Sequence, residues 1–151
     1  MNVYDQLMAD LRTALREQDE LRKGTIRMAL AAIKYARVAK NADLTDEEML
    51  AVLQKEVKQR QESIVEYKRG GRDDLVAQET AEIGILEPYL PKMMDRQEIA
   101  EAARAAIAEV GADNPKQMGQ VMRVLMPRVH GRADGRLVNE IVRELLSGKP
   151  G

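Results

Sequence analysis

Basic side chains crowd one stretch near the end of this 151-residue chain, where residues 116–136 hold five Lys or Arg and one acidic residue. Arginine forks match phosphate oxygens, and the connection 129–136 (VHGRADGR) leads into a predicted helix N-terminus, where free N–H groups favour anions. The pattern predicts a surface for a nucleic-acid backbone. Asp134, as the expected cap of that helix, would occupy part of it, so a solvated loop with capping charges is the alternative. The candidate residues are Lys116, Arg123, Arg128, His130, Arg132 and Arg136.

A second stretch, residues 22–40, holds six basic and no acidic residues. On a helix these residues fall within roughly 140° of the circumference, because successive side chains turn by about 100°. Ile26, Leu30 and Ile33 share that arc, so the basic stems alternatively run past a buried aliphatic row and pair with acids of neighbouring helices. This secondary basic face consists of Arg22, Lys23, Arg27, Lys34, Arg37 and Lys40.

No group of residues in the sequence resembles a conventional active site. The chain has no Cys, which excludes thiol nucleophiles, disulfides and thiolate zinc sites, and its one His, His130, has no placed carboxylate or nucleophile beside it. Asp73 and Asp74 follow a glycine pair at a predicted helix start, where acids stabilise the helix dipole. We therefore assign no catalytic residue and no metal site, and we expect no cofactor.

The composition predicts a folded, all-helical chain. Hydrophobic residues make up 44% of the sequence, which has no Phe or Trp and nine Met, and strand-forming residues never alternate over a useful length. No stretch approaches the roughly 18 apolar residues that a membrane span needs. The start MNVYDQL, with Asp5, does not resemble a secretory signal. The expected location is the cytoplasm, with no membrane contact.

Four helices are predicted for the first part of the chain. Thr45 and Glu48 have the spacing of a capping box at the start of the third. The second has a broad uncharged arc, which includes Met28 and Tyr35, opposite its aliphatic row, so this helix is expected to be largely buried. The expected bounds of the first three are about 2–17, 21–40 and 45–69; the fourth starts near Asp73, is kinked or ended by Pro88 and is stopped by Pro91.

Pro91 marks the predicted boundary between two modules, residues 1–92 and 93–151. Three helices are expected in the second module, because Asp95, Asn114 and Asp134 have the chemistry of N-caps. The predicted fold is therefore all-α, with an N-terminal four-helix bundle-like module followed by a small three-helix module. The expected ends of the last three helices are Gly111, Pro127 and Gly148.

Several short motifs are spread along the chain. They are 26–28 (IRM), 85–91 (ILEPYLP), 107–112 (IAEVGA), 118–122 (MGQVM), 130–135 (HGRADG) and 138–139 (VN). Together they resemble the YqeY family over essentially the whole chain. That family is similar to the C-terminal tail of GatB, the subunit of the tRNA-dependent Asp/Glu amidotransferase that carries tRNA recognition. Family members often have Lys where this chain has Arg132, a departure that keeps the charge.

The resemblance implies a helical two-part fold related to a tRNA-contacting module, without the kinase and amidase domains of the amidotransferase. The first hypothesis is a non-catalytic module that binds tRNA or another structured RNA through residues 116–136, helped by the secondary basic face. The second is a protein-interaction factor that docks on an amidotransferase or another translation component through its sixth and seventh helices. A minor third is carbon–nitrogen ligase activity with glutamine as amide donor, for which no catalytic residues are visible.

Overall fold

The computed structural model describes residues 2–148, and every regular element in that range is helical. This confirms the predicted all-α class, with four helices followed by three. The chain divides into two compact units, Met1–Pro91 and Lys92–Gly151. Met1 and residues 149–151, which the predicted modules include, lie outside the described part. The helices are α1 (Val3–Glu17), α2 (Glu20–Lys40), α3 (Asp46–Arg69), α4 (Asp73–Leu86), α5 (Arg96–Val110), α6 (Met118–Val129) and α7 (Gly135–Leu146).

Side-chain caps set the helix starts where the sequence predicts them. Thr45 Oγ1 accepts the N–H of Glu48 at 3.1 Å, and Glu48 Oε1 accepts the N–H of Thr45 at 3.0 Å, which confirms the capping box of α3. Asp95 and Asp134 accept backbone N–H groups in the first turns of α5 and α7. Gly71, just after α3, has φ +69°, a left-handed conformation that glycine adopts without steric cost.

The core of the first unit lies between α1, α2, α3 and α4. A 3-10 turn, Glu87–Tyr89, follows α4, and its Tyr89 hydroxyl donates a hydrogen bond to the carboxylate of Asp10 on α1. Burial, followed by this bond to Asp10, raises the pKa of Tyr89, so the hydroxyl stays protonated and ties the motif 85–91 to α1. The largest fully buried side chains of this unit are Leu7, Ile26, Ile33, Leu53 and Leu86.

The prediction that the second helix is largely buried is wrong. Ile26, Leu30 and Ile33 face the core, whereas Tyr35 and Val38 of the uncharged arc are 79% and 78% exposed. Burial free energy scales with the apolar area removed from water. Burial of the branched aliphatic side chains therefore gains more free energy than burial of the uncharged arc, in which alanine is the commonest residue.

The second unit packs α5, α6 and α7 around its own core. The sixth helix was expected to stop before Pro127, but α6 continues to Val129 with Pro127 inside it, so that prediction is wrong. Proline's fixed φ fits a helix, and near the last turn its missing N–H removes only one hydrogen bond. The extra turn buries Val129 and leaves only residues 130–134 to connect α6 with α7. The largest fully buried side chains of this unit are Ile99, Leu125, Ile141, Val121, Val129, Val138 and Val142.

Candidate nucleic-acid interface

Arg123 projects from α6 on the side away from the core of its unit. Val121 and Val129 of the same helix are 0% and 1% exposed and face that core. A position two residues from Val121 lies about 200° around the helix, and Arg123 is accordingly exposed. Lys116, in the 3-10 turn Pro115–Gln117 before α6, is exposed as well.

Backbone hydrogen bonds hold the connection between α6 and α7. The N–H of Arg132 donates to the carbonyl of Val129 at 2.9 Å, and the carbonyl of Arg132 accepts the N–H of Met94 at 2.7 Å. Gly131 has φ +77°, which the tight turn out of α6 requires and glycine allows. The main chain of Arg132 is thus fixed while its side chain is exposed to solvent.

The N-terminus of α7 is already capped from within the chain. Asp134 Oδ1 accepts the N–H of Arg136 at 3.0 Å. The capping carboxylate therefore occupies part of the helix end where an anion was expected to bind. Arg136 is exposed, on the side of α7 away from the buried Val138 and Ile141. The available positive charge at this end is the guanidinium of Arg136.

Most cations of this segment have no carboxylate partner in the part of the chain that the structure describes. Across residues 2–148, no Asp or Glu oxygen lies within 4.0 Å of their side-chain nitrogens. Each of these side chains therefore keeps its full charge available to an external anion. The four are Lys116, Arg123, Arg132 and Arg136.

Arg128 differs from those four. Its Nη2 atom lies 2.5 Å from Glu109 Oε2 of α5. Arg123 and Arg128 are also about 140° apart around α6, so their side chains leave the helix in different directions. His130 is exposed in the connection that follows. The structure thus places all six candidates on the surface of the second unit, but Arg128 is turned toward α5 and away from Arg123.

The secondary basic face of α2 is largely paired with acids. Asp10 lies on α1 and Glu48 on α3, as the structural alternative for this face expects. Arg27 and Lys34 are exposed, and no carboxylate of the described chain is within 4.0 Å of either one. The ion pairs are Arg22–Asp10 at 3.8 Å, Lys23–Glu20 at 2.7 Å, Arg37–Asp43 at 3.7 Å and Lys40–Glu48 at 2.6 Å.

Arg60 of α3 is a buried charge that the sequence reading missed. It is 5% exposed, its Nη1 atom donates to Glu56 Oε2 at 2.9 Å, and its Nη2 atom lies 3.9 Å from Glu82 Oε1. Burial raises the pKa of Glu82, and the charge of Arg60 opposes that effect. A signal was present, because position 60 continues the apolar stripe of Val57 and Ile64 at helical spacing.

The described residues offer neither a metal site nor a membrane-spanning helix. No three His, Cys, Asp or Glu side chains of residues 2–148 are grouped so that they could hold a metal ion. No helix in that range has the length and apolar character to cross a membrane.

Asp74, at the start of α4, lies 3.0 Å from Arg72, and this bond lowers the pKa of Asp74.

Known proteins match this chain along nearly its whole length. A family model described as "Yqey-like protein" (YqeY) matches residues 4–146. "Altered inheritance of mitochondria protein 41, mitochondrial" from Pyrenophora tritici-repentis is 29% identical over 150 residues, which are 97% of this chain and 82% of that protein. The proteins of the same name from Kluyveromyces lactis and Saccharomyces cerevisiae are 36% and 28% identical, over 76% and 91% of this chain.

The same relatives correct one expectation. This chain spans 64% of the Kluyveromyces lactis protein and 80% of the Saccharomyces cerevisiae protein. The names of all three relatives contain the word mitochondrial, which contradicts the cytoplasmic location predicted from the sequence. Composition did not suffice to assign a compartment, because receptors read dedicated targeting segments. The match over residues 4–146 shows that the chain belongs to the YqeY family.

Proposed function

We propose that this protein is a non-catalytic module that binds structured RNA, with tRNA as the first candidate, through the cations of its second unit. The observation that carries the proposal is the availability of Arg123, Arg132 and Arg136. All three are exposed, and no carboxylate within residues 2–148 lies within 4.0 Å of their guanidinium groups. A guanidinium without an internal partner retains its charge and its planar donor fork for an external phosphate.

The second unit favours recognition of the RNA backbone and shape over recognition of bases. All four Tyr belong to the first unit, so residues 92–151 contain no Phe, Trp or Tyr on which a base could stack. Phosphate contacts supply sequence-independent affinity, and double-stranded RNA is read mainly through its backbone, its 2′-hydroxyls and its shape. Exposed arginines and Lys116 fit that mode of binding.

Family kinship supports the same proposal. YqeY proteins resemble the tail of the GatB subunit, which carries tRNA recognition in the amidotransferase. The three-helix unit of this chain, with its motifs 118–122 and 130–135, is the part that contains Lys116, Arg123, Arg132 and Arg136. An RNA contact made by this unit would therefore agree with the function of the module that it resembles.

The salt dependence of tRNA binding tests the proposal. We would measure the dissociation constant of labelled tRNA by fluorescence anisotropy from low to moderate salt, for the wild type and for Arg123→Ala/Arg132→Ala/Arg136→Ala. Each phosphate contact contributes about 0.7 to 0.9 to the slope of log K against log salt. Removal of three contacts should therefore flatten the slope by about 2 to 3.

A matched control removes the same charge from the other basic stretch. In Arg22→Ala/Lys23→Ala/Lys40→Ala, the lost cations are all paired with acids in the wild type, so the slope should change little. Equal flattening in both variants would show only an effect of net charge and would overturn the assignment. A retained slope in the first variant would do the same. Pull-down with and without nuclease then separates an RNA partner from an amidotransferase or another protein partner.

A further inference from the structure

An apolar stripe runs along the solvent side of α2, where the sequence predicted a buried surface. Tyr35 and Val38 are 79% and 78% exposed, Met28 is 52% exposed and Leu21 is 41% exposed. Single exposed apolar side chains are common on protein surfaces, but a contiguous row of them marks an interaction site. We call this row the α2 stripe, and it consists of Leu21, Gly24, Met28, Ala31, Tyr35 and Val38.

The spacing of the α2 stripe indicates that its partner is another helix. Its members are separated alternately by three and four residues from Leu21 to Val38, which is the a and d pattern of a coiled-coil seam. A seam of this kind lies along the axis of one helix and receives the side chains of a second helix in its holes. In the described part of the first unit, α1, α3 and α4 pack on other sides of α2, so the stripe stays exposed.

Small residues and a neighbouring wall give the stripe the shape of a shallow groove. Gly24 has open space where a Cβ atom would be, and Ala31 is exposed, so a second backbone can approach closely at both positions. Val52 and Gln59 of α3 line the same groove beside Met28 and Tyr35. An incoming helix would therefore contact the seam on α2 and one edge of α3.

The charges around the groove determine what kind of helix fits. When Leu21, Met28 and Tyr35 are a positions, Arg27 and Lys34 occupy two of the three g positions, and neither has a carboxylate within 4.0 Å in the described chain. The third g position is Glu20, which is paired with Lys23 at 2.7 Å. On the α3 edge, Glu56 is bound to the buried Arg60 at 2.9 Å. Lys55 of the same edge has no acid within that distance in residues 2–148. The acids beside the groove are thus paired within the chain, while Arg27, Lys34 and Lys55 have no acid within 4.0 Å among the described residues.

This charge pattern disfavours a second copy of the chain as the occupant. Two α2 helices paired antiparallel about a twofold axis would place the g edge of each against the g edge of the other. Arg27 and Lys34 would then face their own counterparts, and like charges opposed across a seam are unfavourable. Acidic residues at the edges of the incoming helix would satisfy the same cations.

We propose that the α2 stripe docks an amphipathic helix of a partner protein, whose apolar seam is flanked by acidic residues. The apolar seam supplies the affinity, and the contacts of Arg27, Lys34 and Lys55 with acids supply the choice of partner. This surface belongs to the first unit and does not rest on the RNA contact proposed for the second unit.

Designed peptides test this surface directly. Two labelled helical peptides of about three heptads would have Leu at every a and d position, with Glu at e and g in one and Lys at e and g in the other. Binding to the full chain would be followed by fluorescence anisotropy. We expect the Glu peptide to bind on the order of tenfold more tightly than the Lys peptide. Arg27→Glu/Lys34→Glu should reverse that preference, and Tyr35→Ser/Val38→Ser should lower the affinity for both peptides by a similar factor.

Several outcomes would overturn the proposal. One is that neither peptide binds. Another is that the two peptides bind the wild type with equal affinity and that Arg27→Glu/Lys34→Glu changes neither affinity. A dimer in sedimentation equilibrium that Tyr35→Ser/Val38→Ser dissociates would identify a second copy as the occupant. If the wild type binds the Glu and Lys peptides equally and Arg27→Glu/Lys34→Glu loses affinity for tRNA, the α2 stripe and its cations would be assigned to RNA. Since Tyr35 and Val38 are mostly solvent-exposed, their serine variants should keep the fold, which circular dichroism would verify.

Discussion

Residues 22–40 and residues 116–136 both hold an excess of positive charge, with six basic and no acidic residues in the first and five basic and one acidic in the second. In the first stretch, four of the six cations lie within 4.0 Å of a carboxylate. In the second, Arg128 alone does so among the described residues. Two stretches that are similar in composition therefore differ in how much of their charge is available.

The difference arises from the acids that lie beside each stretch, both local ones and ones on neighbouring helices. Two of the acids that pair with α2 lie on other helices, Asp10 on α1 and Glu48 on α3, while Glu20 belongs to α2 itself and Asp43 follows it in the chain. The segment around α6 meets such an acid at Glu109 of α5. The number of basic residues in a stretch thus gives how many cations it has, while the acids beside it, local or on neighbouring helices, determine how many of them can bind an external anion.

The largest expected effect concerns the most buried cation. Arg60→Ala should lower the free energy of unfolding of the first unit by about 3 kcal/mol, because Glu56 and Glu82 would lose their partner in a poorly solvated site. Urea unfolding followed by tyrosine fluorescence reports on this unit alone, since all four Tyr lie in it. The control is Arg69→Ala, whose side chain is 73% exposed and should change stability by less than about 0.5 kcal/mol.

The same variant has a predictable pH dependence. Burial raises the pKa of Glu82 and Arg60 opposes the shift, so removal of Arg60 should raise that pKa further. A carboxyl whose pKa is raised by folding stabilises the fold while it is protonated, and this contribution is lost as the pH rises through the raised pKa. Arg60→Ala should therefore destabilise less in acid than at neutral pH. Equal destabilisation in acid and at neutral pH would mean that the pKa of Glu82 does not depend on Arg60.

A second prediction is that the secondary basic face becomes an anion site once its acids are neutralised. Glu20→Gln/Asp43→Asn/Glu48→Gln frees Lys23, Arg37 and Lys40, and glutamine at position 48 preserves the capping box. The slope of log K for tRNA against log salt should steepen by about 0.7 to 0.9 for each freed cation that reaches a phosphate. Stability should fall only slightly, because exposed ion pairs contribute about 0 to 1 kcal/mol each.

Control acids distinguish this effect from net charge. Glu17→Gln/Glu62→Gln/Glu101→Gln removes three exposed acids that have no Lys or Arg nitrogen within 4.0 Å in the described chain, so it frees no cation. If these substitutions steepen the slope as much as the α2 set does, pairing with acids is not what keeps the α2 cations from RNA.

A smaller effect is expected from the one paired arginine of the second stretch. Glu109→Gln frees Arg128, whose Nη2 atom lies 2.5 Å from the carboxylate in the wild type. One additional phosphate contact should steepen the salt slope by at most about 0.9 and raise tRNA affinity a few-fold at low salt. The double variant Glu109→Gln/Arg128→Ala should lose that gain. A gain that survives in the double variant would come from net charge and not from Arg128.

The elements of the fold were largely predictable because their ends depend on local chemistry. Thr45 with Glu48, Asp95 and Asp134 cap helices within three residues along the chain, so the signal and its effect lie in the same short window. The extension of α6 through Pro127 was less accessible, since it depends on burying Val129 in a core built from α5 and α7. Local signals therefore predict where helices begin better than where packing prolongs them.

The surfaces were less predictable because burial and pairing are decided between helices. The prediction that α2 is buried on both sides was wrong for its uncharged arc, since Ile26 and Ile33 bury more apolar area than the alanines opposite them. The partners of Arg22 and Lys40 come from α1 and α3, and no spacing within α2 predicts them. By contrast, the exposure of Arg123 follows from its position two residues after Val121.

The smallest expected effect is a change in the pKa of one carboxyl group, Glu48, which is paired with Lys40 of α2. The hydrogen bond from Lys40, followed by the backbone N–H of Thr45, lowers the pKa of Glu48 to about 2. Since folding lowers this pKa, the contribution of Glu48 to stability is present above its ordinary value of 4.5 and is lost as the pH falls toward 2. Carboxyl carbon shifts in NMR spectra would follow the group directly. Lys40→Met should move the midpoint upward, while Lys34→Met, which removes a lysine of the same helix with no acid within 4.0 Å in the described chain, should leave it in place. If the midpoint moves equally in both variants, Glu48 responds to the general field of α2 and the distinction between its paired and unpaired cations fails.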